Sequence, residues 1–250
     1  MDLAISHDGL PAVHDRHRPT ADGRGTAAIV GATLRRLLDA GREFRVIVVV
    51  RPSTLGVLAD GLRHLQALGV RRVDLSLDLW TLWSAEDAEP LERALVECAE
   101  LWWQGLPDQG LNWFDAMMAR LSSVPSSPSA RCGFGEGEIA VSPAGNLYPC
   151  ERLIGEDEPS NPMRLPGHVF EGDGFLSPVG FGPRAAEACD QCALNSLCST
   201  TCRCSNYVRT GKVHEPDGLL CLVDQVTFRE TARRLTEAAR DLEEAAHVSG

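Results

Sequence analysis

Eight cysteines stand from Cys132 to Cys221, and the ordered spacing of seven of them constrains this chain more than any other feature. The seven run Cys132, twelve residues, Gly145, four residues, Cys150, a long gap, Cys189-x2-Cys192-x5-Cys198-x3-Cys202, another gap, and Cys221. Scattered core cysteines behave as small buried hydrophobes, and Cys98, alone on an expected helix, suits that account. A C-x2-C followed by two more cysteines within ten residues does not. That spacing points to thiolates gathered around a metal or an iron–sulfur group.

Composition sets outer bounds. The 250 residues suit one large domain or two small ones. A net charge of −11 argues against binding nucleic acid by phosphate neutralisation. Lys212 is the single lysine among the basic residues, which form no long run. The chain opens on no charged segment followed by an apolar one, and its longest β-branched run, Val46 to Val50, is far too short for a bilayer. No membrane association is expected. Nine cysteines is an odd count, and a reducing cytoplasm that keeps thiolates available for metal fits better than a secreted disulfide scaffold.

Along the chain, Leu3 to Ser6 reads as a short strand running into His7-Asp8-Gly9. The His14-Asp15-Arg16-His17-Arg18 stretch after it reads, from composition alone, as a solvated loop. Ile29, Val30, Leu34, Leu37 and Leu38 recur at helical spacing, and Gly41 is a plausible stop. Phe44 to Val50 is a strand of the kind buried on both faces of a parallel sheet. A second helix opens at Pro52-Ser53-Thr54 with Leu55, Leu58, Leu62, Leu65 and Leu68 as its buried stripe, and Val70 to Leu79 is a third strand. The β-α-β-α-β alternation implies a parallel, barrel-like α/β sheet. About three strands are present, where a closed barrel takes on the order of 250 residues by itself.

Residues 86 to 103 read as a helix ending in Trp102 and Trp103, and Trp113 and Phe114 open another that runs to Leu121. Core packing between helices is the expected use of these rings. The Pro/Ser stretch in 122–131 is the natural linker. Beyond it, Glu138 to Val141 and Leu147-Tyr148 flank a glycine turn at Gly145. This predicts a β-hairpin that brings Cys132 and Cys150 together. Gly155 to Pro183 reads as a surface insertion, and the Cys189–Cys204 knot as loop with a half-turn or two. Leu219 to about Ala246 reads as a long amphipathic helix.

The order C-x12-G-x4-C, gap, C-x2-C-x5-C-x3-C, gap, C resembles the SPASM domain, the auxiliary-cluster extension of many radical SAM enzymes, sulfatase and peptide maturases among them. The resemblance implies two auxiliary [4Fe-4S] clusters. Cys189, Cys192, Cys198 and Cys221 would hold the outer one, and Cys132, Cys150 and Cys202 the inner one. Some members carry a further cysteine just upstream of the first; here Ser126, Ser127 and Ser129 stand there. The inner cluster is therefore expected to keep an open iron, with Cys204 as the alternative ligand, since in an extended segment Cys204 would share a face with Cys202. The pattern S-x-D-G-x4-H-D-x2-R, from Ser6 to Arg18, likewise resembles the strand and loop that border the S-adenosylmethionine pocket in these enzymes. On that resemblance Ser6, Asp8 and Arg18 are candidate cofactor contacts.

A radical SAM enzyme needs a C-x3-C-x2-C loop, and no such spacing occurs in this sequence. The resemblance thus implies a partial (βα) barrel fragment in 1–121, a linker in 122–131 and a SPASM domain in 132–250 with a hairpin and a C-terminal helix. Two accounts stand open. The chain is the back end of a peptide- or protein-modifying oxidoreductase, S-adenosylmethionine binding only with the missing N-terminal part, or it is a stand-alone cluster protein whose partner chain completes the barrel. The first is the expectation, because the Ser6–Arg18 segment has no use without a barrel around it. A structural zinc module for protein–protein interaction is the alternative of a different class, since four thiolates at similar spacing also suit zinc.

Overall fold

In the computed structural model the described residues are 3–122, 134–135, 138–171, 187–198 and 202–248. The chain divides into two compact units, Met1–Val124 with Leu222–Gly250, and Pro125–Cys221. Cys132 and nearly all of the linker lie outside the described residues.

The first unit is built on a parallel sheet in the order β1 (Ala4–Ser6), β2 (Arg45–Val50), β3 (Arg72–Leu77), β4 (Gly110–Leu111). In β2, Val46, Val48 and Val50 are buried while Ile47 and Val49 are half-buried, as a strand covered on both faces requires. About three strands are legible in the sequence; β4 is only two residues long, too short to leave a periodic signal. Asn112 continues its work, accepting a hydrogen bond from the Leu75 amide at 2.9 Å and donating to the Leu75 carbonyl at 3.2 Å. A side-chain amide thus satisfies the edge of β3 where the strand pairing ends.

Helices alternate with the strands: α1 (Pro11–His17) and α2 (Ala27–Asp39) before β2, α3 (Leu58–Ala67) before β3, α4 (Ala88–Gly105) before β4, then α5 (Asn112–Leu121). Three expectations change. The stretch read as a solvated loop is helix α1, started by Pro11 with its preset backbone angle and holding His14 buried. In α2 the buried stripe runs through Ala27, Gly31 and Leu34, which leaves Ile29 65 % exposed. The segment at Pro52 is a 3-10 turn, Pro52–Val57, before the α-helix proper begins at Leu58. The tryptophans serve as expected: Trp102 is buried, stacks on Phe114 at 5.3 Å between ring centres and donates from Nε1 to Asp115 Oδ1 at 2.8 Å.

The last helix, α8 (Gly218–Val248), is two residues longer at its far end than expected, and from Leu222 onward it belongs to the first unit. It is tied to α4 by Arg229–Glu92 at 2.8 Å and Arg234–Glu100 at 2.9 Å. Arg234 and Glu230, 3 % and 7 % exposed at the side chain, pair at 2.8 Å within the helix. No helix among the described residues is long and apolar enough to cross a membrane.

In the second unit, β5 (Ala140–Val141) and β6 (Leu147–Tyr148) pair antiparallel around Gly145, whose φ of +91° is the left-handed value such a turn needs. The region after Gly155 is not a loose insertion over its described part. Leu165 donates to the Leu147 carbonyl at 2.8 Å, Val169 donates to Gly145 at 3.0 Å, and Leu165 is buried. Asp157 draws the hairpin together by accepting from Ser142 Oγ at 2.6 Å, Asn146 Nδ2 at 3.0 Å and Tyr148 Oη at 2.6 Å. Two short helices follow, α6 (Glu187–Asp190) and α7 (Arg203–Thr210).

Replacing Arg234 with alanine leaves the Glu230 carboxylate buried beside fewer cations and is expected to cost about 3 kcal/mol or more. Arg233→Ala, at a half-exposed pair, is expected to cost well under about 1 kcal/mol. Urea denaturation of both variants checks the contrast.

Candidate functional site

Two residue groups carry the candidate chemistry, one in each unit. In the first unit, Ser6 is the last residue of β1, paired with Ile47, and is exposed. Asp8, just beyond, has a side chain that is 0 % exposed. It accepts from Arg18 Nε at 2.8 Å and Nη2 at 3.3 Å, and its Oδ1 also accepts from the Val49 amide at 3.1 Å. The fold thus brings Ser6, Asp8 and Arg18 to one corner, with Asp8 and Arg18 spent largely on each other. That pairing holds the end of β1 against β2 and leaves Arg18 31 % exposed.

Histidines fill the space beneath. His14 Nδ1 accepts from the Asp8 amide at 3.3 Å, so a neutral ring carries its proton on Nε2, which donates to Thr26 Oγ1 at 3.1 Å. Thr26 in turn donates to the Arg18 carbonyl. His7 stacks on His14 at 4.5 Å and lies 6.4 Å from the His64 ring, and its own Nδ1 is buried without a hydrogen-bond partner. Burial first, then the neighbouring His14 and His64 rings, pull the His7 pKa down to about 4. Gly9 lets the chain leave β1 here: its φ is +82°, and a Cβ would meet Gly61 Cα at 2.6 Å. The sequence names His7 and His14 but gives no sign that the His7 ring also meets His64, more than fifty residues away.

Other groups share the carboxyl-terminal edge of this sheet. Arg51 Nε donates to Asp78 Oδ2 at 2.9 Å, and beyond Asp78 the side chains of Trp80 and Leu82 stand 64 % and 87 % exposed. At the opposite edge, a cavity of about 630 Å³ is lined by Arg42, Glu43, Arg45, Arg71 and Arg72.

In the second unit the thiols gather around the start of α7. Cys202 is the residue before the helix and Cys204 lies in its first turn. The extended geometry imagined for this pair does not occur, because Arg203 already has helical backbone. The two sulfurs nevertheless stand 3.4 Å apart. Cys204 also lies in one buried cluster with Cys150. The pocket around them is apolar: Phe134 and Leu153 are buried with Cys150 and Cys204, and Met163, Tyr207, Val208 and Val213 pack against them. Hydrogen bonding from Cys204, aided by Ser205 Oγ at 3.2 Å, holds Cys202 down to about 5. Hydrogen bonding from Cys204 also lowers Cys150, while those same bonds and burial push Cys204 upward. Cys150 in turn donates to Glu151 Oε2 at 3.4 Å, and of the three thiols Cys204 is the one that holds its proton most tightly.

The other sequence-predicted thiols are spread along the chain. Cys189 lies in α6, Cys192 donates its amide to the Cys189 carbonyl at 3.1 Å, Cys198 follows a run of turns, and Cys221 lies in the first turn of α8. No disulfide joins the described cysteines. Among the described residues, no group of three or more His, Cys, Asp or Glu is arranged to hold a metal ion. The Cys150, Cys202 and Cys204 group is thus a thiol cluster with donors suited to metal and not a finished coordination sphere.

No family profile matches this chain, and no curated protein matches it. Solved structures do. Hexahistidine-tagged anSMEcpe with bound AdoMet is 16 % identical over 96 % of this chain and 66 % of that one, with a TM-score of 0.72. Native anSMEcpe with bound AdoMet and Cp18Cys peptide is 17 % identical over 96 % of this chain and 70 % of that one, with a TM-score of 0.70. That protein is an anaerobic sulfatase-maturating enzyme, a radical SAM enzyme. The fold of this chain is similar to the fold of those structures. The likeness runs through nearly the whole of this chain, which spans just under two thirds of the first of those structures.

Below neutral pH the unfolded chain binds protons at His7, His14 and His17 that the folded chain refuses, because all three are lowered from their ordinary value. Stability is therefore fully present above about pH 6.5 and is lost as pH falls toward 4. Thermal melting at pH 7 and pH 5 is expected to show the drop, and His7→Leu to flatten it.

Proposed function

We propose that this chain is the auxiliary-cluster part of a radical SAM oxidoreductase that modifies a peptide or protein. The observation that carries the reading is the thiol cluster: Cys150, Cys202 and Cys204 converge in an apolar pocket, inside a chain whose fold is like that of a sulfatase-maturating enzyme. Soft thiolates in a dry pocket suit an iron–sulfur group. In this reading a SPASM domain begins at residue 132, joined by 122–131 to a partial barrel in 1–121, and its closing helix belongs to the first unit from Leu222 onward. Cys132, Cys150 and Cys202 hold the inner [4Fe-4S] cluster and Cys189, Cys192, Cys198 and Cys221 the outer. Such clusters, when bound, supply one-electron transfer.

The chain's own residues then position and exclude. Phe134, Leu153 and Met163 keep water from the inner thiols, and Arg152 Nη1 donates to Ser205 Oγ at 3.3 Å, which donates to Cys202. In the first unit Ser6, Asp8 and Arg18 border S-adenosylmethionine, with Asp8 fixing the angle of the Arg18 guanidinium toward a carboxylate or ribose. The exposed Trp80 and Leu82 stand at the carboxyl ends of the strands, where α/β sheets take their ligands, and suit the apolar side chains of a peptide. The C-x3-C-x2-C thiols that S-adenosylmethionine cleavage requires would come from outside these 250 residues, on the same polypeptide or on a partner.

A second reading has one observation in its favour. The 3.4 Å between Cys202 and Cys204 is close to the spacing of two thiolates on one tetrahedral ion, roughly 3.8 Å for zinc–sulfur bonds of about 2.3 Å. Zinc in a structural interaction module is therefore the competitor.

Anaerobic purification and reconstitution of the chain, followed by iron, zinc and acid-labile sulfide analysis, separates the two. Iron matched by sulfide is expected. Stoichiometric zinc with no sulfide and no iron–sulfur absorption after reconstitution would overturn the proposal. Replacing Cys189 or Cys221 with alanine is expected to halve the iron content and spare the inner cluster's spectrum. Replacing Cys150 spares the outer one, and equal loss of both in a folded variant contradicts the ligand division.

A further inference from the structure

We infer that Cys204 is the fourth protein ligand of the inner cluster, which therefore has no open iron. This rests on the iron–sulfur reading above and departs from the open site expected from sequence. The upstream position that would otherwise supply a thiol is filled by Ser126, Ser127 and Ser129. Cys204 stands 3.4 Å from Cys202 and shares one buried cluster with Cys150, so it lies beside two of the three inner ligands that the resemblance assigns. It is only 3 % exposed, inside the same apolar cluster as Cys150.

A purely structural cysteine packs as a hydrophobe and has no need of thiol neighbours. Here the polar partners of Cys204 are other cysteines, in a pocket where a thiolate without a counter-charge would be costly. Two guanidinium groups lie in the same region. Arg203, buried in the same turn of α7, lies over the Phe134 ring at 5.9 Å, and Arg152 reaches Ser205 beside Cys202. The side chain of Cys204 has a single torsion between Cα and sulfur, so one rotation carries the thiol away from Cys202 to a separate iron while the helix stays in place. With four protein thiolates the inner cluster would have no iron left open to ligate substrate.

The test uses the full chain, reconstituted anaerobically, as wild type and as Cys204→Ser. Wild type is expected to keep its iron through mild ferricyanide oxidation, and the reduced-cluster EPR spectrum to be unmoved by added cyanide. The C204S protein is expected to lose about one iron per chain on the same oxidation and to show a [3Fe-4S] signal, as a cubane with three protein thiolates does. Added 2-mercaptoethanol is expected to suppress that loss. An oxidation-labile iron or a cyanide-shifted spectrum in wild type would overturn the assignment, and needs no variant to be folded. Identical spectra and iron counts in wild type and C204S would also overturn it. Absence of sulfide in wild type removes the reading on which the inference rests, and is distinguished from the other outcomes by that fact alone.

Discussion

The ladder of main-chain hydrogen bonds between β2 and β3 sets where everything else in the first unit can be. Val46 pairs with Val73 and Val50 with Leu77, so the two strands end together. The groups that follow them are thereby delivered to one edge. Arg51 and Asp78 meet there, and Asp78 donates its amide to the Val50 carbonyl at 2.9 Å. Because β1 runs parallel to β2, Ser6 and Asp8 arrive at that edge as well. A one-residue slip would turn each of these side chains to the other face, and the buried valines would forbid it.

Two carboxylates, Asp8 buried and Asp157 half-buried, do for the loops what the ladder does for the strands. Asp8 joins a strand end, a helix end and the neighbouring strand through Arg18 and the Val49 amide. Asp157 does the same for the hairpin of the second unit by accepting from Ser142, Asn146 and Tyr148. The Tyr148 hydroxyl, buried and bonded to that carboxylate, is pushed up to about 12 and stays a donor throughout. In both places one ionised group satisfies several donors at once, which lets irregular backbone sit as firmly as a sheet.

How much of this was legible in the sequence depends on the range of the interaction. The β-branched run in β2, the leucine stripe from Leu55 to Leu65 and the Gly145 turn are local signals, and each appears where residue type and period put it. The α1 helix was hidden because its residues are polar and its single buried anchor, His14, is a histidine. Asp157 carried no signal at all: its partners lie nine to fifteen residues away on another element. The thiol spacing spoke for a metal site, yet it could not say that Cys204 lies beside both Cys150 and Cys202, since that placement is made by the first turn of α7 and by the fold around it. Cys98, read as a core residue, is one, with no exposed surface.

That last thiol has a use of its own. Burial pushes Cys98 up to about 12, and its side chain is sealed between α4 and the rest of the first unit's core. Alkylating reagents attack thiolates that they can reach, so in the native protein Cys98 is blind to them. It becomes reactive only when α4 leaves its seat. The rate at which Cys98 takes up label is thus a built-in clock for the opening of the first unit, one that runs without any probe added to the chain.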